Sequence, residues 1–384
     1  MRINWLGTAV VVLLVGAAAG PALALDKAHY DKAKATIAKG LAYLKTTQEP
    51  SGAWTPRPGP AVTAMVATVL LDQPGVDLKS PELAKALAYI QSKVHPNGGI
   101  YSDDTPGLEN YNTSICLSAL ARISSEPGIG PIIQHAQDYL RHLQWSDQVD
   151  PAGHKVDKNH PFYGGAGYGR SGRPDLSNTQ MMIQGLHDSG LDCNDPAFQR
   201  ALVFITRCQG TPANKMLGDK IVPDGGFIYS TSAGKDKIGV PTSPAGTVTM
   251  EDGTTRLATY GSMTYAGFKS YLYAKLNRND PRVQAALGWI EHHYTLDRNP
   301  GLGPKDQGLY YYYLTFARAL HAWGEPTITT ADGVKHDWRV ELIDKLASLQ
   351  RPDGSWVNNA DRWMEGDPNL VTAYALLALD ETVN

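Results

Sequence analysis

Apolar residues return along this chain at i, i+4 and i+7: Ile37/Leu41/Leu44, Leu83/Leu87/Ile90, Phe198/Leu202/Ile205 and Val283/Leu287/Ile290. That spacing lays one apolar stripe along a helix, whereas a half-buried strand would alternate. Each such stretch runs into a glycine-rich turn: Gly52-Ala53-Trp54, Gly98-Gly99-Ile100-Tyr101, Gly164 to Tyr168, Asp224 to Phe227, Gly308-Leu309-Tyr310 and Asp353 to Trp356. Glycine is suited to such places because it tolerates positive φ and close backbone approach. A second, more uniformly apolar stretch follows, beginning at capping-type residues such as Asn112, Ser177-Asn178, Ser262 and Asn369. Asn112 to Leu120 and Asn369 to Leu377 are apolar on most sides, as buried helices are. The pattern therefore predicts an all-α chain of six helix pairs, an amphipathic outer helix and a buried inner helix in each.

A motif marks each pair: an aromatic, then Leu or Ile, three residues, then Gln, with a glycine-aromatic step soon after. The copies are Tyr43-Leu44 with Gln48, Tyr89-Ile90 with Val94 in the Gln place, Tyr139-Leu140 with Gln144, Phe204-Ile205 with Gln209, Trp289-Ile290 with Tyr294 in that place, and Leu346 with Gln350. One such unit cannot bury its own apolar face, so the units must stack. Their spacing is uneven, 46 residues from Tyr43 to Tyr89 but 85 from Phe204 to Trp289. The excess is polar, Gly/Pro-rich sequence near residues 148–165, 211–224 and 229–259, which predicts loop insertions on one face, Ser230 to Gly253 forming a lid or rim loop. The first and last units carry the fullest motifs, Gln48/Trp54 and Gln350/Trp356, whereas an open array usually ends in atypical caps. The sequence thus predicts a closed ring, with the helix at Asn369–Leu379 packed beside the one at Ala61–Leu71.

The segment Lys39-Gly40-x2-Tyr43-Leu44-x3-Gln48-x3-Gly52-x-Trp54 matches the QW motif, and Gln350-x3-Gly354-x-Trp356 is a good second copy. From about Ala35 to Asp380 the chain resembles the prenyltransferase and squalene-cyclase repeat superfamily. That resemblance implies an α/α toroid, and it implies that Gln48 and Gln350 are structural, their amides tying helix ends together. An amide with two donors and two lone pairs suits that task. It also sets up two chemical comparisons. Squalene-hopene cyclases use a D-x-D-D acid and protein prenyltransferases a zinc held by D-x-C and a distant His, and this chain has neither. No cofactor and no metal is expected.

Net charge is −3 and the isoelectric point near 6.4, so no basic field suggests nucleic acid. Residues 1–24 read as a signal peptide, with Arg2, an apolar stretch through Val10–Val15, and Ala22-Leu23-Ala24 as the cleavage site. The uncharged run from Trp5 to Leu25 is also long enough to span a bilayer, so an uncleaved N-terminal anchor is the alternative. Either way residues 25–384 are expected as one toroid domain outside the cytoplasm, secreted or periplasmic. The three cysteines are not expected to pair: a helix over Pro196–Arg207 would hold Cys193 and Cys208 about 20 Å apart, and Cys116 falls in a buried helix.

Several groups carry candidate chemistry. Tyr101-Ser102-Asp103-Asp104 follows a Gly-Gly turn, and adjacent carboxylates sharing a proton can supply a general acid, so Asp103 and Asp104 are the catalytic candidates. Arg170, Arg173 and Asp175 precede an inner helix, where an anion or polar substrate group can be held. Of Tyr310 to Tyr313, one or two should face the cavity together with Tyr168, Tyr260, Tyr265 and Trp363, Tyr310 and Tyr311 being the choices; Tyr101 completes the set. Such a lining suits a carbocation, an isoprenoid or a sugar face. Asp192-Cys193-Asn194-Asp195 reads as a helix cap before Pro196, and His154, Asp157 and His160 as loop residues. The expected ligand is an apolar small molecule or a polymer in the central cavity, handled by a cyclase-like enzyme or a binder. The alternatives are a non-catalytic toroid binding protein, lipid or glycan, and a secreted polysaccharide-degrading toroid, which needs a carboxylate pair in the cavity.

Overall fold

The computed structural model describes residues 24–169, 172–303 and 306–384. The expected targeting segment, apart from Ala24, and Arg170 lie outside the described residues. Six outer helices, α1 (Lys27–Thr47), α3 (Pro81–Gln91), α5 (Ile129–Leu143), α7 (Pro196–Arg207), α9 (Pro281–His293) and α11 (Trp338–Leu349), alternate with six inner ones. The inner helices are α2 (Ala61–Leu71), α4 (Glu109–Ala121), α6 (Leu176–Asp188), α8 (Gly261–Tyr273), α10 (Leu309–Trp323) and α12 (Pro368–Val383). Aspartates start many of them: the side chains of Asp26, Asp195, Asp280, Asp337 and Asp367 each accept a backbone N–H of the first turn, satisfying donors a helix leaves open. Four inner helices begin earlier than their polar residues suggested: α4 at Glu109, three residues before Asn112, α6 at Leu176 behind Asp175, α8 at Gly261 behind Tyr260, and α12 at Pro368 behind Asp367.

Burial follows the two kinds of pattern. On α3 only Leu83, Ala86, Leu87 and Ile90 are buried, one stripe, whereas α2 is buried without interruption from Ala61 to Val69. Around the centre α2 packs on α4, α4 on α6, α6 on α8, α8 on α10, α10 on α12, and α12 back on α2. Outside, α1 packs against both α12 and α11. The ring is closed, with α12 beside α2 as the sequence predicted.

The glutamines make the joints. Gln48 Nε2 donates to Gly52 O in its own turn and to Glu82 O at the start of α3, both at 2.9 Å. Gln144 repeats this with Gly164 O and Ala197 O, and Gln209 with Gly225 O and Arg282 O. Gln350 seals the ring, reaching Gly354 O at 2.9 Å and Thr36 O of α1 at 3.0 Å. The turn glycines pack at the same joints: a Cβ on Gly52 would lie 2.4 Å from Lys85 O, and one on Gly354 2.3 Å from Lys39 O, both at φ near +90°. Trp54 and Trp356 are fully buried and donate their indole N–H to Leu44 O and Leu346 O.

Where the motif decays, the joint changes. Tyr294 replaces the amide with a hydroxyl that donates to Glu341 Oε2 of α11 at 2.9 Å. Gly308 is not the turn glycine of the fifth unit: it is the left-handed residue that caps α10, and the turn lies earlier, around Gly301 at φ +88°. The insertion read as an irregular lid contains a short antiparallel pair, β1 (Thr247–Thr249) with β2 (Thr255–Leu257). A second pair, β3 (Thr327–Thr329) with β4 (Lys335–Asp337), interrupts the link from α10 to α11. Among the described residues no helix is long and apolar enough to cross a membrane.

Candidate functional site

Because all inner helices run the same way, their first turns meet at one end of the ring, the end that also carries the insertions. A cavity of about 250 Å³ opens there. Each inner helix supplies it with a residue from its second or third position: Val62 of α2, Tyr111 of α4, Ser177 of α6, Met263 of α8, Tyr311 of α10 and Leu370 of α12. Tyr374 comes from one turn deeper in α12, and Tyr168, Tyr229 and Tyr260 close the wall from the loops.

The floor is a set of paired hydroxyls. Tyr111 Oη lies 3.3 Å from Tyr374 Oη, and Tyr311 Oη 2.9 Å from Ser177 Oγ. Burial pushes the Tyr111 phenol up to about 12 and raises those of Tyr311, Tyr374 and Tyr260 as well, so the floor is neutral and protonated at ordinary pH. The rim is strained. Trp363 and Met364 adopt left-handed φ of +63° and +65° while remaining 41% and 43% exposed, and such conformations cost about 1–3 kcal/mol each and cluster at ligand clamps. Gly308 sits beneath the Trp363 ring, where a Cβ would come within 3.0 Å of it.

Two buried carboxylates flank this end. Glu365 lines the cavity and accepts from Tyr311 N at 2.8 Å, Tyr310 N at 3.3 Å and Asn358 Nδ2 at 2.5 Å. It thus caps α10, whose own N-cap residue is a glycine, and burial raises its pKa in spite of those donors. Asp175 caps α6, accepting from Asn178 N at 2.8 Å and from Asn178 Nδ2 at 2.9 Å, and burial raises it to about 6. Both groups are committed to helix ends, and Asp175 does not line the cavity.

Of the residues singled out in the sequence, Tyr168, Tyr260, Tyr311 and Trp363 line the cavity. Arg173 lies over the Tyr229 ring, 5.2 Å from its centre. Tyr265 is buried against Tyr312 and Phe316, and Tyr310 against Tyr313, so neither faces the ligand space. Tyr101 stacks on His95 at 3.9 Å, away from the ring axis. Asp103 and Asp104 are exposed and do not line the cavity; the Asp103 side chain is 84% accessible, with His95 Nε2 at 4.0 Å. Asp195 caps α7, and His154 and His160 both meet Asp150, not Asp157, at 3.2 and 3.0 Å. Among the described residues no group of three His, Cys, Asp or Glu side chains is placed to hold a metal. Cys116 and Cys208 are buried free thiols and Cys193 is a partly exposed one.

Ser177 and Tyr374 appeared in the sequence only as helix residues; Tyr111, Tyr229, Met263 and Glu365 carried no signal of their own. Superposing the six inner stretches by their starts would have found most of them, since the second or third position of each faces the axis.

No protein-family model matches the chain, and no curated protein matches its sequence. Solved structures do match. The GH76A alpha-1,6-mannanase from Salegentibacter sp. HEL1_6 is 10% identical, over 92% of this chain and 98% of that one, with a TM-score of 0.55. A protein from Actinoplanes is 16% identical over 92% of this chain and 100% of its own, at a TM-score of 0.52. A type II terpene cyclase from Scytonema is 16% identical over 94% and 99% at a TM-score of only 0.31, too distant to add weight. Identities this low speak for the fold alone, and the fold they share with this chain is the α/α toroid.

Proposed function

We propose that this toroid binds a small apolar, isoprenoid-like molecule in the aromatic cavity at the mouth of its inner ring, and that it does so as an exported protein. The observation that carries this reading is the lining: six helix starts and the loops that lead into them converge on tyrosine faces, Val62, Met263 and Leu370, with an exposed Trp363 at the entrance. Convergent apolar and aromatic side chains with few polar groups are the usual make-up of a small-molecule site. Its size limits the occupant. Apolar cavities of ~150 Å³ admit benzene, so about 250 Å³ holds roughly ten heavy atoms, one ring and a few substituents.

Binding is supported better than catalysis. Acid-started cyclisation needs a free strong acid, and glycoside cleavage needs two carboxyl groups about 5–9 Å apart across the bond. Glu365 and Asp175 each spend their oxygens on helix N-termini, and Asp103 and Asp104 are outside the cavity.

The test is a titration of the purified chain with limonene and carvone, ten-carbon isoprenoids with one ring, followed by tryptophan emission. Saturable binding is expected, and Met263→Trp, which fills the cavity, should abolish it while leaving a cooperative melt. No saturation with either compound, equal binding by the filled variant, or saturation by alpha-1,6-mannotriose alone would overturn the proposal.

A further inference from the structure

The cavity floor is polar in one place, and that place is wired. Tyr311 Oη lies 2.9 Å from Ser177 Oγ and accepts an N–H from Gln180 Nε2 at 3.1 Å. The Gln180 amide is held the other way by Lys269, whose Nζ donates to Gln180 Oε1 at 2.7 Å. Lys269 is fully buried and also donates to Gln184 Oε1. The Gln184 amide is fixed in turn, because its Nε2 faces both oxygens of Asp188 at 2.8 Å. Burial lowers Lys269 to about 7, and the wiring survives loss of the proton, since a neutral amine keeps two N–H groups for two glutamine oxygens.

The consequence is a count of hydrogens. Gln180 is forced to donate to Tyr311, so the Tyr311 oxygen cannot turn its own hydrogen toward Gln180. The Tyr311–Ser177 pair holds two hydroxyl hydrogens and one bond between them. Among the described residues no second acceptor stands at either oxygen. One O–H is therefore left over, and both side chains line the cavity. The pair is part-buried and faces the cavity, so a ligand oxygen can take up that O–H.

We infer that the ligand of this cavity carries a carbonyl oxygen at its buried end, received by the hydroxyl pair of Tyr311 and Ser177, with Gln180 and Lys269 as positioning residues. A carbonyl accepts without bringing a hydrogen of its own, so it matches a surplus donor. This rests on the proposed binding role, and it names the chemical class that the site selects.

The experiment compares carvone, a ketone, with limonene, the hydrocarbon of the same skeleton, on the full chain. Carvone should bind about tenfold more tightly, the worth of one well-placed hydrogen bond. Its C=O stretch should move to lower frequency on binding. Tyr311→Phe should shrink the carvone-to-limonene affinity ratio toward one. Gln180→Leu, which touches no ligand, should reduce the carbonyl shift without emptying the cavity. Equal affinity of wild-type protein for the two compounds, or an unshifted carbonyl in bound carvone, would overturn the inference while leaving the binding role standing. Failure of both compounds to bind removes both. Should Tyr311→Phe fail to fold, the infrared shift in the wild-type complex and its reduction in Gln180→Leu still decide the matter.

Discussion

Removing Gln209 should show what the ring joints are worth. Its amide is fully buried, donates to Gly225 O at 3.0 Å and Arg282 O at 2.9 Å, and accepts the Tyr271 hydroxyl at 2.9 Å. Gln209→Ala leaves Gly225 O without a partner, whereas Arg282 O keeps its backbone bond inside α9 and Tyr271 has Thr206 Oγ1 at 3.4 Å. At about 1–3 kcal/mol for the unsatisfied Gly225 carbonyl and about 1 kcal/mol for each of the other two lost hydrogen bonds, the loss comes to about 3–5 kcal/mol. With an unfolding entropy of about 2.1 cal/mol/K per residue over roughly 360 residues, Tm should fall by about 4–7 °C. Gln48 makes two bonds and is only partly buried, so water replaces it and Gln48→Ala should cost about 1–2 kcal/mol, near 1–3 °C. Far-ultraviolet circular dichroism melts read both, and the affinity of the folded fraction for carvone should not change in Gln48→Ala. A Gln209→Ala protein melting within about 1 °C of the wild type would refute the idea that these amides bear the joints. So would a Gln48→Ala protein of native stability that had lost its ligand.

Three further outcomes are expected. Gly354→Ala should destabilise by about 3 kcal/mol or more in urea unfolding, because its Cβ would meet Lys39 O, whereas Gly190→Ala, equally left-handed but in open space, should cost about 1 kcal/mol; equal losses would dismiss the close approach as a cause. Burial, with Asp72 nearby, raises Asp380 to about 7 against an offset from Gln73 and Lys34, so the folded state binds its proton more tightly than the unfolded chain. Stability from this group is full below about pH 4 and lost as pH rises through 7, and Asp380→Asn should therefore gain more at pH 8 than at pH 5, by up to about 3 kcal/mol; a pH-independent difference would contradict this. Finally, squalene incubated with the purified chain should yield no cyclic product by mass spectrometry, and product that vanishes in Asp103→Asn/Asp104→Asn would restore those two residues to catalysis.

The helix pairs were legible because periodicity is a local property: Leu83, Leu87 and Ile90 declare a stripe without reference to the rest of the chain. Ring closure was legible for a different reason, the repetition of a strong motif at both ends. The cavity was not, because facing the axis depends on the rotation of each helix in the assembled ring. Four consecutive tyrosines illustrate this. Tyr311 reaches the ligand space while Tyr312 and Tyr313 turn outward to donate to Thr295 O and Leu296 O. Asp103 and Asp104 misled because a carboxylate pair after a Gly-Gly turn looks the same in sequence whether the loop bends inward or outward. One repeated signal was overlooked: Thr63, Thr113, Thr179, Thr264 and Thr372 stand in the first turns of five inner helices, each accepting a backbone N–H from its own glycine-rich turn.

A closed ring has a cost in time as well as a gain in burial. In an open stack the earliest repeat can settle against its neighbour and wait, but here α1 belongs between α11 and α12. Among its contacts are Lys32 with Asp344, Thr36 with Gln350 and Thr47 with Asn369, each bridging more than 300 residues of chain. α1 thus leaves the ribosome long before α11 and α12 and meets these two packing partners only when they have been made, and until then it shows its buried stripe, Ile37 and Leu44, to whatever is near. Contacts this remote in sequence slow folding and prolong the exposure of apolar surface. A chain of this design depends on protection of its leading repeat for the whole duration of synthesis, a demand that grows with every unit added to the ring.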